Sequence, residues 1–224
     1  MQEIYGIISC DVVNSTSLES KELFKLRQEV YGDLFPDLCE QFPSFWGRVV
    51  RGDTIECCIE DPNFSFRLAL LIKLWLKNWA ILHDASYNME KAGARYSIGI
   101  GPMRLIDKQN DFLDGEAIYI AGRNLDYIKE NGLYSVFGMN STNRDVKALI
   151  SGNLTLMDVI INSVTQRQCP VLYYKLRKFK ETKIAELLSI TQAAVNIRAK
   201  HADWRLIQET LETLENINFK RYVG

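Results

Sequence analysis

Histidine is almost missing from this 224-residue chain. His83 and His201 fall on separate stretches, with no cysteine or carboxylate at ligand spacing. That excludes a Cys/His zinc site and any catalytic grouping built on histidine, and both read as surface or helix-end residues. The five cysteines are odd in number and form no CxxC pair, which excludes a disulfide framework and leaves reduced thiols as the expectation. No apolar run is long enough for a bilayer, which takes about 20 residues with few charges. The best one, Phe64 to Leu82, is broken by Arg67, Lys73, Lys77 and Asn78, and reads as a buried helix. The start has no basic region and meets an acid at Asp11, so it does not read as a signal peptide, and a cytoplasmic place without membrane contact is expected.

What is present is ordinary for a soluble globular protein: 47% hydrophobic, 11% aromatic and 25% charged residues. The length allows one large domain or a medium and a small one. The net charge is only -1, but it is unevenly spread. From Thr165 onward there are 11 Lys/Arg against 6 Asp/Glu, and before it 16 against 22. An acidic body carrying a basic tail points the tail toward a polyanion.

Periodicity divides the chain further. Ile4 to Ser9 reads as a buried strand ending in a polar turn. Glu19 to Gln41 has helical spacing through Leu23, Leu26, Val30, Leu34 and Leu38. Arg48 to Ile59 reads as two strands meeting at Arg51-Gly52-Asp53. Arg95 to Ile100 is a strand closed by Gly101-Pro102, and Asp107 to Asp114 is polar loop. Asp114 reads as the N-cap of a helix with Ala117, Ala121, Leu125 and Ile128 on one face. Tyr134 to Phe137 is a short strand, and helix resumes from Asn143. The expected fold is an α+β sandwich of ferredoxin-like type over 1–142, then a helical linker and a small all-α domain over 143–224. Trp75 and Trp79 read as core or dimer anchors, since their helix has apolar residues on more than one side, and a homodimer is expected.

The C-terminal segment carries the most specific signal. Thr165-x-x-Gln168 is a capping-box pattern opening a helix to about Phe179. Lys183-Ile-Ala-Glu-Leu-Leu188, a short turn, and Thr191-Gln-Ala-Ala-Val195 then have helix-turn-helix spacing. Ala185 is small where the helices cross, and Ile184, Leu188, Ile190 and Val195 point inward. Thr191 caps the second helix, which puts Gln192, Ala193 and Asn196 where base edges are read. Lys183, Arg198, Lys200 and the Arg177/Lys178/Lys180 cluster are expected on phosphates. DNA is the expected partner; a helical bundle used for dimerisation is the rival.

Asp11-Val-Val-Asn-Ser-Thr, Gly52-Asp53 and Gly115 to Arg123 resemble the strand-end, hairpin and Gly-x-x-Val-Asn-x-x-x-Arg segments of class III nucleotidyl cyclases. That resemblance implies that Asp11 and Asp53 bind Mg²⁺ or Mn²⁺ with a nucleotide, and that Arg51 and Arg123 bind the nucleotide, Arg123 being catalytic if turnover occurs. The family's Asn is Tyr119 here, its base-selecting Lys falls on Val49 or Val50, and its Asp before the glycine falls on Phe112. These departures argue against turnover. The whole chain is similar to the SatD family, a cyclase-like domain followed by a helix-turn-helix. The carrying segments are Asp11-Val-Val-Asn-Ser, Arg51-Gly52-Asp53, Ala94 to Gly101, Asp114 to Arg123, and Thr165 to Val195. The resemblance implies a DNA-binding transcriptional regulator whose first domain dimerises and senses a metal-nucleotide effector. An active cyclase or related phosphoryl-transfer enzyme, and a non-catalytic protein-interaction module, are the alternatives.

Overall fold

The computed structural model describes residues 3–50, 52–141 and 143–223, with Tyr87 described by its backbone alone. Strand β1 (Ile4–Val12) is central, pairing antiparallel with β3 (Thr54–Ile59) on one edge and with β4 (Ala94–Asp107) on the other. β2 (Trp46–Val50) closes the sheet as a hairpin with β3, Val50 lying opposite Thr54, and Gly52 takes φ +86° in the turn. β5 (Phe112–Gly115) and β6 (Ser135–Met139) both join β4, β5 antiparallel and β6 parallel. The strand order is β2-β3-β1-β4-β5. By the two-residue alternation of strands, Ile8 and Cys10 of β1 face one side of the sheet and Ile7 and Asp11 the other.

The strand expected to close at Gly101-Pro102 instead continues to Asp107, and the expected polar loop contains β5. Pro102 is tolerated because β4 leaves β6 at Ile100 and meets β5 at Met103, while its partner across β1, Ile4, is the last of that ladder. The helix expected over Glu19 to Gln41 is α1 (Ser20–Glu29), a π turn over Val30–Leu34, and α2 (Phe35–Gln41).

Helix α3 (Ser65–Leu82) packs on one face of the sheet, followed by the short α4 (Tyr87–Ala92); α5 (Glu116–Asn131) covers the other face. Gly99 lets α5 approach, since a Cβ there would lie 2.3 Å from the carbonyl oxygen of Ala117. Asp114 does not cap α5. Gly115 holds that position, and the Asp114 carboxylate instead meets Arg104 and Tyr119.

Among the described residues α6 (Arg144–Ser163), α7 (Cys169–Leu176), α8 (Glu181–Leu187), α9 (Gln192–His201) and α10 (Trp204–Glu215) follow, with a 3-10 turn at Phe219–Arg221. Asn143 caps α6, accepting from the Val146 N–H at 3.1 Å. The helix expected from Thr165 to Phe179 is shorter. Thr165 donates to Gln168 Oε1 through both its N–H and its hydroxyl, so that hydroxyl does not cap, and Lys178 at φ +63° breaks the far end.

One apolar core runs from β1 and α3 through Leu154 and Ile161 of α6 to Leu172, Leu211 and Phe219, so it crosses the 142/143 boundary drawn from the sequence. The second apolar side of α3, read as a dimer face, is covered by the chain's own α7 and α10. Trp79 is buried and donates to Glu29 of α1 at 2.7 Å; Trp75 is half-buried. The three cations of α3 are buried too. Arg67 meets Glu215 at 2.6 Å. Lys77 donates to the carbonyls of Lys91, Ile161 and Asn162. Lys73 donates to the Ala94 carbonyl at 2.8 Å, with Asp158 of α6 at 3.8 Å.

Candidate functional site

Asp11 and Asp53 do come together. Asp11 ends β1 on the α5 side of the sheet, and the β2–β3 turn brings Asp53 beside it through a Val12 N–H to Asp53 carbonyl bond of 3.2 Å. Both line a cleft of about 560 Å³ with Asn14, Ser15, Thr16, Asn88, Arg95 and Lys129. Asn14 turns the loop in the left-handed region, φ 58°, a conformation that asparagine tolerates better than most residues. The carboxylates are already engaged. Lys129 Nζ stands 2.7 Å from Asp11 Oδ1, Arg95 Nη1 3.8 Å from its Oδ2, and Asp53 Oδ2 accepts from the Ser15 hydroxyl at 2.6 Å. Two carboxylates and two cations leave the cleft with no surplus charge. Those residues do not fit a resident divalent ion, which takes several free oxygen ligands. Among the described residues no group of three or more His, Cys, Asp or Glu converges as a metal site.

Arg123 is elsewhere. It lines a second pocket, about 710 Å³, at the other end of the α5 face, with Arg104, Tyr119, Asn124, Asn140 and Lys147. Along α5 it is six residues from Lys129, about 9 Å at 1.5 Å per residue. Arg123, Lys147 and Arg104, the last already paired with Asp114 at 2.7 Å, face one carboxylate of the lining, Glu116. The Asn124 Nδ2 is buried without a partner, in space that Gly138 leaves open, since a Cβ there would lie 2.5 Å from it. Such a lining suits an anion. Tyr119, at the position of the expected amide, donates to Asp114 at 2.6 Å and accepts from Arg104 at 3.1 Å. These bonds hold the Asp114 carboxyl below the usual range, Tyr119 contributing most. Arg51 lies outside the described residues.

In the C-terminal helices the expected inward residues do pack together: Ile184 and Val195 are buried, Ala185, Leu188 and Ile190 pack around them, and Val171 and Ala199 join the cluster. Ser189 at φ 52° makes the corner between α8 and α9. Thr191 Oγ1 caps α9, accepting from the Ala194 N–H at 3.1 Å. Thr191, Gln192, Ala193, Asn196 and Lys200 are exposed and Arg198 is half-buried. Three of the nearby charges are spoken for. Arg177 is no surface cation: it bonds Asp37 and Glu40 of α2 at 2.6 and 2.8 Å. Lys183 pairs with Glu186 at 3.1 Å. Glu181 accepts from Lys175 at 2.6 Å, a bond that lowers its carboxyl's pKa, with the Asn196 and Gln192 amides adding to the effect. His83 and His201 are helix-end residues, His83 stacking on Trp79 at 4.3 Å.

The sequence reading missed Lys129, Arg95, Arg104, Lys147 and Asn124. Arg95 had a signal, standing at the start of the strand that must pair with β1. Lys129 had only its place in the last turn of an amphipathic helix, and its aim depends on how α5 crosses the sheet.

No family model matches the chain, and no curated protein does. Among solved structures, that of a bacterial light-regulated adenylyl cyclase aligns at 15% identity with a TM-score of 0.44, covering 61% of this chain and 76% of that one. No helix among the described residues is long and apolar enough to cross a membrane.

Proposed function

We propose that this chain is a DNA-binding regulator of SatD type, in which α9 reads DNA and the α+β body holds an anionic effector. The observation that carries this is the α8–α9 corner. A capped helix start presents Gln192, Ala193 and Asn196 to solvent while Ile184, Val195 and Ala199 fix it from below. The strand order β2-β3-β1-β4, with the β2–β3 hairpin, supports the ferredoxin-like, cyclase-like half of the reading. The pocket of Arg104, Arg123 and Lys147 suits a phosphorylated ligand such as a nucleotide. It reaches Lys147 in the first turns of α6, the helix that leads into the C-terminal set. Ligand binding there is positioned to act on α7–α10.

A dimer is part of the proposal, because two recognition helices read two half-sites. With the α3 face covered, the outer side of α6 beyond its charged first turn is the surface for it: Leu149, Leu156 and Val159 are 68%, 66% and 67% exposed. A Leu149→Lys/Leu156→Lys variant is expected to shift the molar mass in light scattering from dimer to monomer.

The test of DNA binding is selection of bound sequences from a random duplex pool, then fluorescence anisotropy across a salt series. Gln192→Ala/Asn196→Ala should lose sequence preference, at about 1–3 kcal/mol for a good base contact, while Lys200→Glu should weaken all sequences alike. No enrichment at low salt would sink the reading. The second reading, a phosphoryl-transfer enzyme, is favoured by the shared cleft of Asp11 and Asp53. Tyr119 in place of an amide and the ion pair at Asp11 weigh against it.

A further inference from the structure

Asp11 is 6% exposed, and a carboxylate that deep requires a counter-charge. The fold supplies it twice over, from two independent elements. Arg95 is directly opposite Asp11 in the β1–β4 register. Lys129 reaches it from the last turn of α5, where the helix's own carbonyls also favour a cation, and where Gly132 at φ 65° ends the helix. At 2.7 Å from Oδ1, the ammonium lies in the space that a metal ion bound to that oxygen would take.

We infer that Lys129 is a built-in replacement for a divalent cation: it holds the ligand position on Asp11 and keeps Mg²⁺ and Mn²⁺ out of this cleft. An ammonium brings one charge where the ion brings two, and it cannot leave. Asp53, turned to Ser15, therefore faces a balanced cleft instead of a half-built metal site. This holds whether or not α9 binds DNA.

The test is Mn²⁺ binding, followed by loss of the free-ion signal in electron paramagnetic resonance. Lys129 has a side chain 40% exposed, so Lys129→Met should fold; Lys129→Gln serves if it does not, with circular dichroism as the check. The wild type should leave the Mn²⁺ signal unchanged. Lys129→Met should take up one Mn²⁺ per chain, and Lys129→Met/Asp11→Asn should lose it again. The inference is overturned if the wild type binds one Mn²⁺ that Asp11→Asn abolishes. It is equally overturned if neither folded Lys129 variant gains a site.

Discussion

Replacing Lys73 with methionine removes a buried ammonium while keeping a side chain of similar reach. In the wild type that ammonium donates to the Ala94 carbonyl at 2.8 Å, lies 3.8 Å from Asp158, and sits over the Tyr96 and Tyr134 rings at 5.7 and 5.1 Å. The variant leaves Asp158, itself buried, with only the Ser135 hydroxyl. Breaking a buried pair from one side costs about 3–5 kcal/mol, a large part of the roughly 5–15 kcal/mol that holds an ordinary domain. Lys73→Met/Asp158→Leu removes the stranded charge as well and should recover most of the loss. The pH dependence gives a second signature. Burial lowers Lys73 to about 8 from 10.5, and Lys77 likewise. The folded chain therefore gives up these protons before the unfolded one, and stability rises with pH above 8, by up to about 1.4 kcal/mol per unit for each lysine. Buried thiols oppose this above their ordinary 9.0: Cys58 and Cys169 are pushed up to about 12 by burial, so the folded state keeps protons that the unfolded chain loses. The rise is thus confined to about pH 8–9, and Lys73→Met should halve it. Burial also raises Asp158, so the single variant's penalty should shrink as the pH falls and that carboxyl takes a proton. Urea unfolding followed by tryptophan fluorescence, from about pH 5 to pH 9, measures all of this. A single variant within about 1 kcal/mol of wild type near neutrality, or a double variant no more stable than the single, would refute the reasoning.

Three other outcomes follow from the geometry. Thr191→Ala loses the cap on α9 and should cost about 1 kcal/mol in urea unfolding, whereas Thr191→Ser should not. Gly99→Ala places a Cβ 2.3 Å from the Ala117 carbonyl oxygen, so α5 must lift; a loss of about 1–3 kcal/mol is expected in thermal melts. Arg177→Met cuts the bonds from the end of α7 to Asp37 and Glu40, and hydrogen exchange should quicken in α2 and α7 more than in β1.

Much of the sheet was legible because alternation and turn chemistry are local: the β2–β3 hairpin and β6 stand within two residues of where periodicity puts them, and β1 starts at Ile4 as read but runs three residues past Ser9, to Val12. β5 was hidden because it is only four residues long, follows the polar run Asp107 to Asp111, and has its pairing set by β4 running past Pro102, which no local rule announces. The site was half legible. Asp11 and Asp53 share a cleft because each ends or turns a strand beside the other, a relation the motif spacing carries. Arg123 parted from them because α5 is long enough to serve both ends of its face, and Lys129 took the nearer end. The cations of α3 looked like interruptions of an apolar helix. Lys73 and Lys77 are received by backbone carbonyls at Ala94, Lys91 and Ile161, and Arg67 by Glu215, partners that a sequence does not display.

The sharing of α3 between the sheet and the last helices bears on how the chain is made. Arg67 and Glu215 are 148 residues apart, and Phe66 stacks on Phe219. At about 5–20 residues per second on the ribosome, α3 emerges with one side bare for roughly 7 to 30 seconds before α10 exists to cover it. During that interval the nascent body is sticky, and its maturation waits on α10 and Phe219. A stop codon ahead of α10 would strand it there, so a shortened product should be found aggregated or degraded instead of accumulating as a free body.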